Sequence, residues 1–394
     1  MSKIKVFKTR IYISPEIEHQ FNMGFGTRRW CWNRGVDQYF NQDNKLSNFK
    51  MDMLINSLIK DDEEQFGWIK LVNTMIKTNA LKDLGLALKK FNQQVRKNAN
   101  SLDDEHPNKF KPKIKKKKDS TQSFRLSKKD ESTFKILGHN TFNFNWTREY
   151  GRISVRTRES LDFLNVEIIK EITILRQAGK LYISICYEKK VTRLRKKGIG
   201  KIGLDLGVKH LYSSYDGLEF TVFDKCNLDD VNHHIALINQ KLALKIYNSN
   251  NYNKLLLNLQ KRYKKGADIK RDSYYKEAVR LCEKYDTIII DDFSYKAYLA
   301  MNQVKGVVGR HDRIRKLNEV SPCLFKEILE YVASKYGVEI IYVAKGTPTT
   351  QTCSKCGHKQ EKKLELKDRT FKCEQCGFTI DRDFNSAINT YNYS

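Results

Sequence analysis

Lys201-Ile-Gly-Leu-Asp205-Leu-Gly207 reads as a β-strand with a carboxylate set among apolar residues. Burying an unpaired carboxylate is expensive, so Asp205 calls for a partner cation. The plain alternative is a turn residue just ahead of Gly207. The strand pattern resumes from Val208 to Ser214 and turns at Asp216-Gly217, a strong hairpin signal, which predicts three antiparallel strands. Residues 229–263 then read as one long amphipathic helix with Val231, Ile235, Ile238, Leu242 and Ile246 on one face. Its continuation carries Lys254, Lys261, Arg262, Lys264 and Lys265. Thr287-Ile-Ile-Ile-Asp291 is a short buried strand, Ser321-Pro322 opens a helix that Gly337 ends, and Val338 to Val343 is a further strand. Together they predict a β-α-β crossover, hence parallel strands covered by helices.

Two more carboxylates stand at informative places: Asp291 at a strand end, and Asp383 opening Asn385-Ser-Ala-Ile-Asn389. Each alone has a structural explanation, Asp291 or Asp292 as a helix cap and Asp383 as an N-cap. Three on one sheet form an oxygen-ligand set for Mg²⁺, and two such ions can activate water and stabilise the leaving oxygen of a phosphodiester.

Cys353-Ser-Lys-Cys356 and Cys373-Glu-Gln-Cys376 lie sixteen residues apart, and Gly357 and Gly377 follow the two pairs. Two Cys-x-x-Cys turns supply the four thiolates of a tetrahedral structural Zn²⁺ site, which is closed and has no open position for a reacting water. A redox dithiol needs one pair only. Of nine cysteines the other five, Cys31, Cys186, Cys226, Cys282 and Cys323, are scattered singly and read as reduced packing residues of an intracellular protein.

Upstream, residues 1–14 alternate like a strand, and Ser14-Pro15-Glu16 then starts a helix. Helical spacing persists to about residue 100, as in Leu71, Met75, Leu81, Leu84, Leu88 and Phe91, and predicts three or four packed helices. Within it, Arg28, Arg29, Trp30 and Trp32 combine cations with aromatic rings suited to nucleic acid, although tryptophans on a helix are more often core. The segment from Pro107 to Lys118, with Lys109, Lys111, Lys113, Lys115, Lys116, Lys117 and Lys118, resists helix formation and reads as a basic linker or arm. Residues 120–192 switch to period two and imply a small β-barrel joined by the opening strand, which makes the helical region an insertion. Arg193 and Arg195 belong to a second basic stretch.

The 394 residues carry 73 Lys and Arg against 46 Asp and Glu, a formal charge of +27. That excess suits a polyanion. No apolar run approaches the roughly 18 residues of a membrane span, so neither a membrane partner nor a membrane location is expected.

Lys201 to Gly207, Ile288-Ile-Ile-Asp-Asp-Phe293, Thr350-Gln-Thr-Cys-Ser-Lys-Cys-Gly357 and Cys376-Gly-Phe-Thr-Ile-Asp-Arg-Asp-Phe-Asn-Ser-Ala387 resemble the signature blocks of TnpB. That family comprises transposon-encoded RNA-guided nucleases related to type V CRISPR effectors. The resemblance covers nearly the whole chain and implies a multidomain α+β protein. A wedge β-barrel (1–14 and 119–197) would hold an inserted helical recognition domain with the basic arm (15–118). A RuvC α/β domain of RNase H fold (198–348 and 380–394) would hold an inserted zinc module that binds target nucleic acid (349–379). It further implies a catalytic triad of Asp205, Asp291 and Asp383 on Mg²⁺. Its partners would be a guide RNA and a double-stranded DNA target with a short flanking motif, in a bacterial-type cytoplasm and on the nucleoid when bound. Nucleic-acid contacts are expected from Arg28, Arg29, the lysines at 109, 111, 113 and 115–118, Arg193, Arg195, Lys261 and Arg262.

One departure bears on activity: the family's second carboxylate is usually glutamate, and here it is Asp291. A retracted carboxylate leaves open a nuclease-attenuated or nuclease-dead RNA-guided repressor of transcription. A zinc-ribbon RNA-binding protein without a DNA target is a third reading, and it leaves the three aspartates unexplained.

Overall fold

A computed structural model describes residues 2–41, 48–99, 111–190, 198–291, 314–315, 317–344, 346–361 and 368–393. The chain forms two compact units, Met1–Lys190 and Val191–Ser394.

In the first unit the period-two segments become strands β1 (Ser2–Tyr12), β2 (Thr121–Ser127), β3 (Phe134–Leu137), β4 (Thr141–Asn145), β5 (Arg152–Thr157), β6 (Ile169–Gln177) and β7 (Lys180–Lys190). They form one sheet in the order β2-β6-β7-β1-β5-β4-β3. Strand β1 pairs β7 over most of its length and passes to β5 at Ile11 and Tyr12. The order is open, with β2 and β3 at its edges, so the expected barrel is not closed by a ladder among the described residues. Even so, Phe124 and Leu126 of β2 and Phe134 of β3 share one apolar core with residues from the other five strands.

Among the described residues four α-helices lie between β1 and β2: α1 (Pro15–Phe40), α2 (Asn48–Asp61), α3 (Glu63–Phe66) and α4 (Thr74–Ala99). Ser14 caps α1, its hydroxyl accepting from the Ile17 N–H, with Pro15 in the first turn as read from the sequence. Helix α1 belongs to two cores. Phe21 and Phe25 pack against Phe124 in the sheet core, whereas Cys31, Trp32 and Val36 join Met51, Ile55, Leu81 and Leu84 in the helical core. Trp30 packs on Phe66, with ring centroids 5.0 Å apart. Trp32 is thus a buried core residue, and Trp30 packs half-buried at the edge of the helical core.

In the second unit, β8 (Lys201–Leu206), β9 (Tyr212–Tyr215) and β10 (Phe220–Phe223) form the predicted antiparallel set, with 207–211 turning instead of continuing the strand. Helices α5 (Asp229–Ala243) and α6 (Asn250–Lys284) replace the single long helix expected there. Helix α5 ends at its C-cap Leu244; Asn248 then takes a positive φ of 72°, and the Ser249 hydroxyl accepts from the Tyr252 N–H to cap α6. Ile246, placed on the buried face by sequence, is exposed at that corner. Strand β11 (Thr287–Ile290), helix α7 (Pro322–Tyr336) and strand β12 (Glu339–Tyr342) give the parallel crossover. Ser321 does not cap α7 with its side chain. It sits in the left-handed region, and its hydroxyl donates to the Asn318 carbonyl. The sheet order is β10-β9-β8-β11-β12; the short pair β13 (Thr370–Lys372) and β14 (Thr379–Asp381) leads into the final helix α8 (Arg382–Tyr391). Among the scattered cysteines, Cys31 and Cys282 are buried as expected, but Cys323 is exposed.

Strand alternation decides what meets what here. Ile202, Leu204 and Leu206 point into a core shared with Leu281 of α6 and with Phe325 and Leu329 of α7. Gly203 and Asp205 therefore face the other side, where α8 lies. A Cβ on Gly203 would stand 2.4 Å from the Tyr391 nitrogen and 2.8 Å from the Ala387 carbonyl oxygen. Backbone cannot yield as a flexible side chain does. Gly203→Ala should thus lower stability by about 1–3 kcal/mol or more, read as a drop in thermal midpoint.

Candidate active site and metal centre

The register of β8 and β11 sets two carboxylates side by side. Ile290 pairs with Leu204, and the Asp291 N–H donates to the Leu204 carbonyl at 3.1 Å, so Asp291 follows in line with Asp205. Both lie toward the carboxyl ends of parallel strands, where open α/β sheets bind ligands. Asp383 comes from the first turn of α8. The three carboxylates line one cavity of about 230 Å³, together with His210, Thr350, Arg369 and Arg382.

Each carboxylate is differently held. Asp291 Oδ2 accepts a 2.7 Å hydrogen bond from the hydroxyl of the buried Thr349. Asp383 lies beside two guanidinium groups, Arg382 at 3.2 Å and Arg369 at 3.4 Å. Asp205 is half-buried, and removal from water pushes its carboxyl well above the usual range. The negative charges of Asp291 and then Asp383 push it further, against the pull of Arg382 and the Ser386 hydroxyl. Such a set is poorly matched to itself and well matched to a hard divalent cation, which takes oxygen ligands and supplies the missing positive charge.

The N-cap alternative for Asp383 is settled by its neighbour. Asp381 caps α8, accepting from the N–H groups of Asp383 and Phe384, which frees the Asp383 side chain for the cavity. Asp292, the other alternative carboxylate, lies outside the described residues.

Helix α8 also ties the cavity to the cysteine module. Asn385 accepts from the Ser354 N–H at 3.0 Å and donates to the Thr352 carbonyl at 2.7 Å. Asn389 donates to the carbonyls of Thr349 and Thr352, both at 2.7 Å. The segment 349–354, bearing Thr349 and Cys353, is thereby fastened to the helix that bears Asp383.

Cys353, Cys356, Cys373 and Cys376 converge. The Cys353 and Cys376 sulfurs lie 3.7 Å apart, and those of Cys356 and Cys373 3.6 Å apart. A tetrahedron with Zn–S bonds of about 2.3 Å spaces its sulfurs about 3.8 Å apart, so the cluster fits zinc. The Cys376 N–H, donating at 3.4 Å, helps hold the Cys373 thiol down to about 6, toward the thiolate a metal requires. Gly357 and Gly377 both have positive φ, 75° and 70°, as the two knuckles demand. Among the described residues this is the only group of three or more His, Cys, Asp or Glu whose ligand atoms all lie within 4.8 Å of one another. The three aspartates share a cavity at wider spacing.

The basic residues are placed as follows. Arg28 bonds Ser123 and Asp83, and Arg29 bonds Gln122, so both are partly committed inside the first unit. The lysine arm is docked on α1: the Trp32 indole donates to the Lys113 carbonyl, Asn33 bonds the Lys115 backbone in both directions, and the Lys115 ammonium lies 4.3 Å from the Trp32 ring centroid. The Lys111 ammonium lies 4.4 Å from the Phe40 ring centroid. Lys113, Lys116, Lys117 and Lys118 are exposed, as is Lys261 on α6, while Arg262 is half-buried. Lys109, Arg193 and Arg195 lie outside the described residues. Sequence reading missed Thr349, Arg369 and His210. Arg382 stood inside the quoted Asp-Arg-Asp block without being assigned a part.

Three family models match the chain: "Helix-turn-helix domain" over residues 1–42, "Probable transposase" over 184–301, and "Cas12f1-like, TNB domain" over 324–390. Residues 2–40 fold as one strand and one helix. The "Putative RNA-guided DNA endonuclease InsQ" of Escherichia coli (strain K12) is 27% identical over 231 residues, which span 56% of this chain and 56% of that protein. A "Putative RNA-guided DNA endonuclease" of Streptomyces pristinaespiralis is 22% identical over 402 residues, 99% of this chain and 89% of that one. Among solved structures, the protein chain in a cryo-EM structure of a Cas12f1-sgRNA-target DNA complex superposes with a TM-score of 0.50 at 13% identity, over 99% of both chains, a likeness of fold. No helix among the described residues is long and apolar enough to cross a membrane.

Proposed function

Because this chain belongs to the TnpB family, we propose that it is an RNA-guided DNA endonuclease. Guide RNA pairing with one DNA strand would read the target, and the cavity of Asp205, Asp291 and Asp383 would hydrolyse the backbone with Mg²⁺. The observation that carries this reading is the convergence of three carboxylates at the carboxyl ends of parallel strands. The strand order, three antiparallel and then two parallel, supports an RNase H-type RuvC domain over 198–348 and 380–394, with 349–379 as its zinc-holding target-binding module. In the first unit, the coiled sheet would be the wedge (1–14 and 119–197) and the helices with the lysine arm the recognition region (15–118). That unit is the proposed reader of the flanking motif, and the exposed lysines 113 and 116–118, with Lys261 of α6, are proposed phosphate contacts.

Asp205 and Asp383 would anchor Mg²⁺ and Asp291 complete its shell, while Cys353, Cys356, Cys373 and Cys376 would hold a structural Zn²⁺. Bound Mg²⁺ supplies a Lewis acid for a phosphoryl oxygen and a lowered pKa for a bound water. Thr349 fixes the rotamer of Asp291, and Arg369 and Arg382 hold Asp383 until a phosphate competes for them.

The test is cleavage of matched, motif-bearing DNA by the purified protein with its copurifying RNA and Mg²⁺. Asp205→Asn should lower the rate by at least about 100-fold while leaving guide-dependent DNA binding intact. Asp291 in place of glutamate favours a second reading, an RNA-guided repressor that binds without cutting. Binding of matched DNA with no cutting by the unaltered protein would establish it.

A further inference from the structure

The turn after β8 brings a histidine–carboxylate pair to the wall of the same cavity. The Leu211 N–H donates to the Phe223 carbonyl at 2.9 Å. Just beyond the ends of β9 and β10, His210 Nδ1 is hydrogen-bonded to Asp224 Oδ1. His210 lines the cavity with Asp205, Asp291 and Asp383. The carboxylate favours the tautomer with the proton on Nδ1, leaving Nε2 as acceptor. The first unit offers a contrast. His139 makes the same Nδ1 bond to Asp162 at 2.8 Å, but on open surface, with its side chain 87% exposed. His210, at 26% exposure, is held in a cavity wall.

We infer that His210, oriented by Asp224, is the proton acceptor for the water that attacks the scissile phosphate, an inference that rests on the nuclease reading above. The water oxygen bonds to phosphorus and its proton passes to His210 Nε2. The bond from phosphorus to the leaving sugar oxygen breaks with its electron pair on that oxygen, which takes a proton from solvent. Nothing is oxidised or reduced. Asp224 is a positioning residue, acting through the imidazole.

The experiment is single-turnover cleavage of matched DNA by the full-length protein with its guide RNA and Mg²⁺. His210→Ala should slow cutting by about 100-fold or more, leave guide-dependent binding of the same DNA unchanged, and regain rate when free imidazole is added. Asp205→Asn should gain nothing from imidazole. Asp224→Asn should slow cutting by about 10-fold, with no further loss when it is combined with His210→Ala. Cutting by His210→Ala at the unaltered rate, while Asp205→Asn stays inactive, would overturn the inference and leave the nuclease reading standing. A loss that imidazole does not repair would also overturn it, since the ring would then serve only to position. If neither the unaltered protein nor Asp291→Glu cuts, the nuclease reading falls, and the inference with it.

Discussion

Under the proposed function, Cys376→Ser is expected to release zinc and disable cutting while guide RNA stays bound. Structural zinc contributes about 10–16 kcal/mol of folding free energy in small zinc peptides. Among the described residues its apolar cluster is small, Phe371 with Cys353 and Cys373, supported at the edge by Phe378 and Ile380. Two of those five are themselves thiols of the proposed zinc site. Strand β14 leaves this cluster and ends on Asp381, the cap of α8, and Asp383 stands in the turn that follows. Unravelling the knuckle frees the entrance of α8, and with it the third carboxylate. Misplacing such a group by about 1 Å can cost on the order of 100-fold in rate. Metal analysis should show zinc lost from the variant, single-turnover cleavage should fall by that factor or more, and guide-RNA affinity should hold. An equal loss of RNA binding would mean that the module supports the whole fold.

The second large effect has the opposite sign. Asp291→Glu should raise the cleavage rate, by as much as about 100-fold if geometry alone limits the present site. A glutamate carries its carboxylate roughly 1 to 1.5 Å farther into the cavity and restores the residue usual at this position in TnpB proteins. The structure adds a reason for the retraction: Asp291 Oδ2 is tied back at 2.7 Å to Thr349, which Asn389 in turn holds through its carbonyl. Mg²⁺ titrations of both proteins would separate the causes. A lower Mg²⁺ requirement with a faster rate identifies the shorter side chain as the defect. Identical rates would show that Thr349 already holds the aspartate where catalysis needs it.

What could be read beforehand follows from the range over which each residue's neighbours act. Asp205 was legible because a carboxylate inside Ile-Gly-Leu-Asp-Leu violates a local apolar pattern, and its face follows from period two. The cysteine module was legible because knuckle geometry is set within four residues at a time. The break between α5 and α6 was missed although the polar run Asn248-Ser249-Asn250-Asn251 interrupts the apolar spacing after Ile246 and supplies the cap of α6. Whether the sheet closes was not legible either, because period two marks the strands and not which of them pair, and the edges β2 and β3 are neighbours in sequence without a ladder between them. Thr349 reaches Asp291, and Arg369 and His210 reach the cavity, through tertiary placement, and no neighbour in sequence announces them. Asp381 and Asp383 stand two residues apart in similar surroundings, and the helix start alone distinguishes the cap from the cavity residue.

The double allegiance of α1 has a bearing on how relatives exchange parts. Its amino-terminal half is cemented to the sheet by Phe21 and Phe25, and its carboxyl-terminal half to the helices by Cys31, Trp32 and Val36. A chimaera spliced at Pro15, where strand gives way to helix, would import foreign side chains into the sheet's interior. A crossover between Phe25 and Cys31 would instead carry each half-helix with the surroundings that shaped it. Natural exchange between such proteins meets the same constraint, so a unit that transfers intact begins in mid-helix and not at the loop before it.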